Sequence, residues 1–440
     1  MISIKDKQDC CGCSACASIC PKQCITMVAD VEGFFYPTVN EKDCINCGLC
    51  EKVCNELHPY DMREPQMVLA AINKNEEVRL RSSSGGIFYL LAEQVIKEEG
   101  VVFGARFDEN WQVVIDYAED MKGVEAFMGS KYVQARVENA YKNVKRFLIQ
   151  GRKVLFSGTP CQVAGLHKFL KKKYENLLTV DFVCHGTPSP KVWGMYVDEI
   201  NKKNRCFNDI EFRNKDDGWK NFGLKVHYNK EGDTMSLFIP FVKDPYMNVF
   251  LKNVILRPSC YQCSARNGQS QSDITLADFW GINTISPEMD DDKGTSLVFL
   301  HTEKGKNELN LNGCKIYETT YDLAKLRNPA CYKSPKVHPK RSYFFKHLGI
   351  VSLIKLMKEC SKPTYEEKYR NFKKKIKKQI KNLLFLGGGK TLGSNLSCNN
   401  ENIRMLNNPS IISISFRSKV FGWKSYHVEF VIKSENESKQ

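Results

Sequence analysis

The sequence predicts a mixed fold, part α+β and part α/β, in which a small cysteine-rich module precedes a larger strand-and-helix core and a basic helical tail. Three observations predict it. Cysteines recur at fixed short intervals between Cys10 and Cys54, strand-length apolar runs alternate with amphipathic helices from Met67 onward, and residues 351–440 concentrate positive charge. A chain of 440 residues has room for about three domains, and 42% hydrophobic residues let it bury real cores. The expected division is 1–58, 67–150, 151–348 and a tail over 349–440.

Cys10, Cys13, Cys16, Cys20 and Pro21 spell C-x2-C-x2-C-x3-C-P, and Cys44, Cys47, Cys50 and Cys54 repeat the spacing without the proline. Three thiolates two residues apart each take one corner of an iron–sulfur cubane, while the fourth leaves on a turn that aims it at the other cluster. The pattern is that of a bacterial-type two-cluster ferredoxin. It assigns Cys10, Cys13, Cys16 and Cys54 to one 4Fe-4S cluster, and Cys44, Cys47, Cys50 and Cys20 to a second. Cys11 and Cys24 fall out of register, and 31–37 reads as the short hairpin beside the clusters. Zinc also takes C-x2-C pairs, and a disulfide framework is a third use of such cysteines. Eight cysteines with crossed spacing suit clusters better than zinc knuckles.

The 19 cysteines of the chain would point to disulfides in a small secreted protein. Here the number is odd, the chain is long, and the cluster spacing demands free thiolates in a reducing compartment. Residues 1–7 carry charge without an apolar stretch, and no run reaches the roughly 20 apolar residues of a spanning helix. The expected location is the cytoplasm. The net charge of +15 is local, because 351–440 holds 18 Lys and Arg against 7 Asp and Glu. The remainder is nearly balanced and gives no reason to expect nucleic acid as a partner.

After Cys54, residues 55–66 are polar, contain Pro59 and Pro65, and read as a linker. A strand follows over 67–72, then Leu-Arg-Ser-Ser-Ser-Gly-Gly over 80–86. A helix over 87–97 is predicted by Ile87, Leu90, Leu91 and Val95 at helical spacing. Serines and glycines opening a helix present free backbone N–H groups at the positive end of its dipole, which suits a phosphate or an anionic ring edge. The same residues equally serve as a plain helix cap with a tight entry. Strands over 101–105 and 113–117 lead to Gly-Ser-Lys-Tyr-Val at 129–133, where Lys131 is a phosphate candidate or a solvated surface group.

A βαβ unit comes next: a strand over 153–157, the turn Gly158-Thr159-Pro160-Cys161, a helix over 162–174, and a strand over 177–183 ending in Cys184-His185-Gly186. Right-handed crossovers put both strand carboxyl ends at one sheet edge, where open α/β sheets bind ligands. Cys161 and Cys184 are therefore expected to meet at the mouth of a site. Cys260 and Cys263 form a third C-x2-C ahead of a strand over 272–276 and Ala277-Asp278-Phe279-Trp280-Gly281. Four such cysteines are enough for another 4Fe-4S cluster, for zinc, or for two unrelated buried pairs. Asp278 is a candidate acid or base or a turn cap, and His185 a candidate proton relay or a satisfied core histidine. In the tail, a basic amphipathic helix over 366–384 could touch anionic lipid or dock on the protein itself. Gly387-Gly388-Gly389-Lys390-Thr391 lacks the earlier glycine of a P-loop, since that position is Leu384.

The paired cysteine module, Ser82–Gly86, Gly129–Gln134, Phe-Ser-Gly-Thr-Pro-Cys-Gln at 156–162, Val-Cys-His-Gly at 183–186, Arg-Pro-Ser-Cys-x-x-Cys at 257–263 and Asp-Ile-Thr-Leu-Ala-Asp-Phe-Trp-Gly at 273–281 occur in one order. Together they resemble the beta-subunit family of coenzyme F420 hydrogenases and dehydrogenases, in the form with an N-terminal ferredoxin, over 1–348. The resemblance implies an FAD-binding iron–sulfur oxidoreductase passing electrons between clusters and flavin, to or from a hydride-type substrate. It implies Ser83, Ser84, Gly85 and Gly86 as a flavin-cradling turn, Lys131 and Tyr132 as a second flavin contact, and Cys161, Cys184, Cys260 and Cys263 as holders of a third cluster. It further implies a redox partner or low-potential donor and an unidentified small-molecule substrate. Within the family the chain looks closest to bacterial companions of cell-surface polysaccharide synthesis. A non-catalytic electron-transfer subunit serving a separate enzyme is the alternative, and clusters acting as redox sensors or structural staples are a third use.

Overall fold

The computed structural model describes residues 1–364 except 60, 62, 202–205, 231, 232 and 267, then positions 367, 369, 372 and 374 and the backbone of four later strands. It forms two compact units, Met1–Lys362 and Pro363–Gln440. Among the described residues, no helix is long and apolar enough to cross a membrane.

The first unit opens with the cysteine module, whose hairpin pairs β1 (Ile25–Ala29) with β2 (Phe35–Val39). The core is built on β3 (Met67–Asn73), β4 (Val101–Phe107), β5 (Val113–Ala118), β6 (Val154–Ser157) and β7 (Leu177–Phe182). A side sheet follows, of β8 (Cys206–Asn214), β9 (Gly223–Lys230) and β10 (Asp233–Pro240), and then β11 (Ile274–Asp278), β12 (Ser296–Leu300) and β13 (Cys314–Thr319) return to the core. The main sheet has the order β13-β3-β12-β11-β7-β6-β4-β5. Strands from before and after residue 150 therefore share one sheet.

Neighbours β11/β7, β7/β6 and β6/β4 are parallel, while β12 is antiparallel to both β11 and β3. Consequently β3, β4, β6, β7 and β11 all point the same way. Their carboxyl ends line one edge, and the turns Ser82–Gly86, 158–161, 183–186 and 279–281 all lie there. Central strands such as β6 and β7 are apolar and buried along almost their whole length, as a sheet covered on both faces requires.

The crossover helix Pro160–Leu170 starts with a full capping box. Thr159 accepts from Gln162 N, the Gln162 side chain returns to Thr159, and Pro160 occupies the first turn. It ends four residues earlier than its apolar period predicts, because Lys171 takes a left-handed conformation, φ 61°. The helix Leu353–Cys360 buries Leu353, Leu356, Met357 and Cys360 against Trp193, Tyr246 and Phe250, so 349–360 packs with the core. In the second unit the strands Leu396–Cys398, Glu401–Met405, Ile411–Ser418 and Lys424–Val431 form an antiparallel meander where a helical tail was expected. The helix expected over 366–384, with its lipid contact, and the glycine run 387–389 lie outside the described residues, apart from helical positions 367, 369, 372 and 374.

The cysteine module is seated on the core by close approaches that only glycine allows. A Cβ on Gly165 would lie 2.9 Å from Cys13 Cβ and 3.0 Å from the Tyr141 hydroxyl, and one on Gly33 would lie 2.2 Å from Lys191 Cβ. At the hairpin tip, Arg341 grips both carboxylate oxygens of Glu32, with Nη1 donating at 2.9 Å, in the two-pronged geometry of strong arginine pairs. Gly165→Leu is expected to lower unfolding stability by about 1–3 kcal/mol through overpacking, despite the better helix propensity of leucine. A urea midpoint equal to or above the parent's would show that the module is not seated on this helix.

Candidate iron–sulfur and cofactor site

The structure brings the predicted cysteines together in the crossed arrangement. Cys20, Cys44, Cys47 and Cys50 line one hollow of about 370 Å³ with Met1, Cys24 and Ile45. Cys16 lies beside Cys10 and Cys54, and burial followed by these two neighbours pushes its thiol up to about 12. Cys47 is exposed and Ile45 is 58% exposed, so the first of these groups opens to solvent. The other faces the core, where Cys13 touches Gly165 in the crossover helix.

Cys161, Cys184, Cys260 and Cys263 also converge. Burial and the neighbouring thiols of Cys260, Cys161 and Cys263 hold the Cys184 thiol well above its ordinary range, and burial with the same kind of crowding raises Cys263 to about 11. Cys161 stands at the head of the crossover helix with its Sγ 3.1 Å from Thr159 Oγ1. Gly186 lets the Cys184 loop approach the Cys260 loop, since a Cβ there would lie 3.4 Å from Cys260 Cβ. Thr187 N donates to Cys260 Sγ at 3.4 Å. Arg266 Nη1 donates to Cys184 O at 2.7 Å and to Ala330 O at 2.9 Å, pinning the β7 turn.

Zinc holds each sulfur at about 2.3 Å, which brings tetrahedral sulfurs to within about 3.8 Å of one another. Among the described residues, the one group of three or more ligating side chains whose ligand atoms all lie within 4.8 Å is Asp209, Glu211 and His227. No three cysteine sulfurs lie that close to one another among the described residues.

Cys11, which the spacing leaves out of register, bridges the two regions. Its thiol interacts with Cys13 on one side and Cys161 on the other; the Cys13 contact and burial hold the Cys11 thiol well above the usual range against the opposing Cys161 contact, and the Cys11 contact with burial does the same for Cys161. Cys24, also out of register, has its Sγ 3.4 Å from Cys20 Sγ.

Ser82–Gly86 lies between β3 and the helix Ile87–Lys97. Gly86, at φ 85°, opens that helix without a side-chain cap, so its first backbone N–H groups remain open to an acceptor. The hydroxyls are engaged within the protein. Ser83 Oγ accepts from Ser130 N at 2.7 Å, Ser84 Oγ donates to Thr295 O at 2.8 Å, and Gly85 packs where a Cβ would lie 2.3 Å from Ala71 O. Lys131 turns back on its own loop and donates to Ala126 O and Met128 O, each at 2.7 Å.

Tyr132 belongs to a buried network that sequence spacing did not reveal. Arg213, with a side chain 3% exposed, donates to Asp278 Oδ2 at 2.7 Å, to the Tyr132 hydroxyl at 3.1 Å and to Ser83 O at 3.2 Å. Trp219 Nε1 donates to Asp278 Oδ1 at 3.1 Å, and its ring stacks on Trp280 at 4.3 Å. Asp278 is thus the counter-ion of Arg213. Lys215 Nζ donates to three backbone oxygens, including Ser84 O at 2.9 Å, and burial, with Arg213 beside it, pushes its pKa down to about 7. His185 Nε2 is 2.7 Å from Asn253 Oδ1 and its ring meets Phe250 edge-on, so it is a packed and satisfied side chain.

Residues 9–56 match the 4Fe-4S dicluster domain, and residues 151–320 match the C-terminal part of the coenzyme F420 hydrogenase/dehydrogenase beta subunit. No curated protein matches the chain. Among solved structures, it is similar to a chain of the F420-reducing [NiFe] hydrogenase complex from Methanosarcina barkeri in a xenon-derivatised form. The identity is 16%, the match covers 71% of this chain and 93% of that one, and the TM-score is 0.40. The chain thus carries a 4Fe-4S dicluster domain ahead of a domain that matches the C-terminal part of the coenzyme F420 hydrogenase/dehydrogenase beta subunit.

Proposed function

We propose that this iron–sulfur protein is an oxidoreductase in which electrons enter at the Cys20, Cys44, Cys47 and Cys50 cluster. They pass through the Cys10, Cys13, Cys16 and Cys54 cluster to a third cluster at Cys161, Cys184, Cys260 and Cys263, and reach FAD beside Ser82–Gly86. The order follows from exposure and contact. Cys47 faces solvent, whereas Cys13 and Cys161 are joined through Cys11, and that bridge is the observation that carries the reading. Clusters at these cysteines would carry single electrons, and FAD would supply two-electron hydride chemistry to or from a small substrate.

The chain's own residues supply placement and electrostatics. The uncapped head of the helix Ile87–Lys97 suits a phosphate, and the half-buried Trp280, backed by the buried Trp219 ring at 4.3 Å, offers a flat apolar face. The buried Nε of Arg213 has no acceptor among the described residues, which suits a polar ligand atom arriving beside Asp278. Free thiolates in this number belong in a reducing compartment, the cytoplasm. The polysaccharide connection rests on the resemblance alone. The alternative, a subunit that hands electrons to a separate enzyme without a substrate of its own, is favoured by the engaged hydroxyls of Ser83 and Ser84 and by Lys131, whose amine is turned onto its own loop.

Anaerobic purification tests the scheme. The expected content is about twelve iron and one FAD per chain, falling to about eight iron in Cys161→Ala. About eight iron in both proteins would remove the third cluster, and absence of flavin would leave the electron-transfer reading. A second expectation concerns the buried ion pair. Asp278→Ala strips the counter-charge from Arg213 and should lower stability in urea by about 3–5 kcal/mol, while adding Arg213→Met should recover much of the loss. Equal midpoints for the single variant and the parent would show that Asp278 does not balance that charge.

A further inference from the structure

Arg257 is fully buried, at 0% exposure. Its backbone opens the turn Pro258–Gln262 that carries Cys260, but its side chain runs out of the core and into the dicluster domain. Nε donates to Cys10 O at 2.7 Å and Nη1 donates to Gln134 Oε1 at 3.3 Å. The guanidinium lies over the Tyr36 ring at 4.2 Å and nearer still to Gly12, where a Cβ would stand 2.9 Å from Nη1. Gly12 thus keeps open the channel through which the side chain reaches the cluster loop.

What the arginine lacks is an anion. It forms no ion pair among the described residues, and its Nη2 is buried with no acceptor there. A cation removed from water and left uncompensated is strongly unfavourable, and buried donors almost always find a partner. The Cys10 thiol lies within reach of the Arg257 charge, which favours its thiolate, and the Cys260 thiol feels the same charge. A cubane ligated by four thiolates carries net negative charge, gains more on reduction, and offers sulfur acceptors; net charge and hydrogen bonds to sulfur are among the levers that set its potential.

We propose that Arg257 is the counter-charge of the cluster held by Cys10, Cys13, Cys16 and Cys54. Nη2 donates to a sulfur of that cluster and raises its reduction potential, so that an electron arriving in the dicluster domain is drawn to its core-facing end. The assignment needs the dicluster domain and not the third cluster, so the iron content of Cys161→Ala and the test below fail independently. Arg257 acts here by position and charge and makes no bond in the reaction.

The test is a redox titration of the full chain followed by EPR, comparing parent, Arg257→Gln and Arg257→Lys at equal iron content. The expected result is that one of the two dicluster signals in Arg257→Gln becomes about tenfold harder to reduce, about 59 mV for a one-electron couple. The second signal stays in place and Arg257→Lys falls between. Unmoved signals overturn the assignment, and so does an equal shift of every signal, which is a general charge effect. Should Arg257→Gln lose iron, the reduced parent protein labelled with nitrogen-15 in its arginine side chains provides the decision. Pulsed EPR is then expected to show a guanidinium nitrogen coupled to a cluster, and no coupling overturns the proposal.

Discussion

The structure depends on one seam, the contact between a cysteine module whose loops carry little secondary structure and an α/β core that supplies what the module lacks. The module has two short strands and a few helical turns, and its own buried cluster is small, built on Ile2, Cys24, Ile25 and Cys50. Its buried residues Cys13, Ala15 and Val53 belong to the same apolar cluster as Val163, Leu166 and Phe156 of the core. Arg257 crosses the seam as a buried cation, and Glu32 with Arg341 closes its far end. Burial of Arg257 along this seam makes its electrostatic interactions less screened than they would be in water.

The same seam explains why the sheet is arranged as it is. Five strands deliver their carboxyl ends to one edge, and the crossover helix between β6 and β7 turns its first residues toward that edge. Cys161 therefore sits where the module arrives, while the end of β11 and the loop after it place Asp278 and Trp280 farther along the edge, beside the serine and glycine turn after β3. Arg213 then ties β8 of the side sheet to β11 and to Ser83. One buried guanidinium thus organises each half of the edge, Arg257 at the cysteines and Arg213 at the Ser82–Gly86 turn.

Much of this was legible in the sequence where the chemistry is local. The grouping of Cys20 with Cys44, Cys47 and Cys50 follows from spacing, and strands such as 101–107 and helices such as 87–97 follow from apolar period. The joining of Cys161 to Cys184 follows from the handed crossover. Cys11 and Arg257 were illegible for the opposite reason. Arg257 meets Cys10 across 247 positions of chain, and no spacing rule links residues that far apart. Cys11 was set aside because it breaks the register, yet that offset is what turns its thiol toward Cys161. Lys131 read as a phosphate candidate because a lysine beside glycine and serine resembles one, but its amine satisfies three carbonyl oxygens of its own turn. The tail was read as helical; positions 367, 369, 372 and 374 are helical, and the described residues from 396 onward form strands.

The glycines at the seam have a kinetic meaning as well as a steric one. Ferredoxins commonly meet their partners by diffusion, and the rate of such a meeting depends on concentration and on salt. Here Gly165 and Gly33 admit no side chain between module and core, and the covalent chain keeps the two together. A bimolecular encounter has become a fixed separation whose effective concentration no longer varies. On the proposed route the inner transfer would therefore be first-order and indifferent to ionic strength, leaving the solvent-facing loop around Cys47 as the place where the surrounding solution can still set the pace.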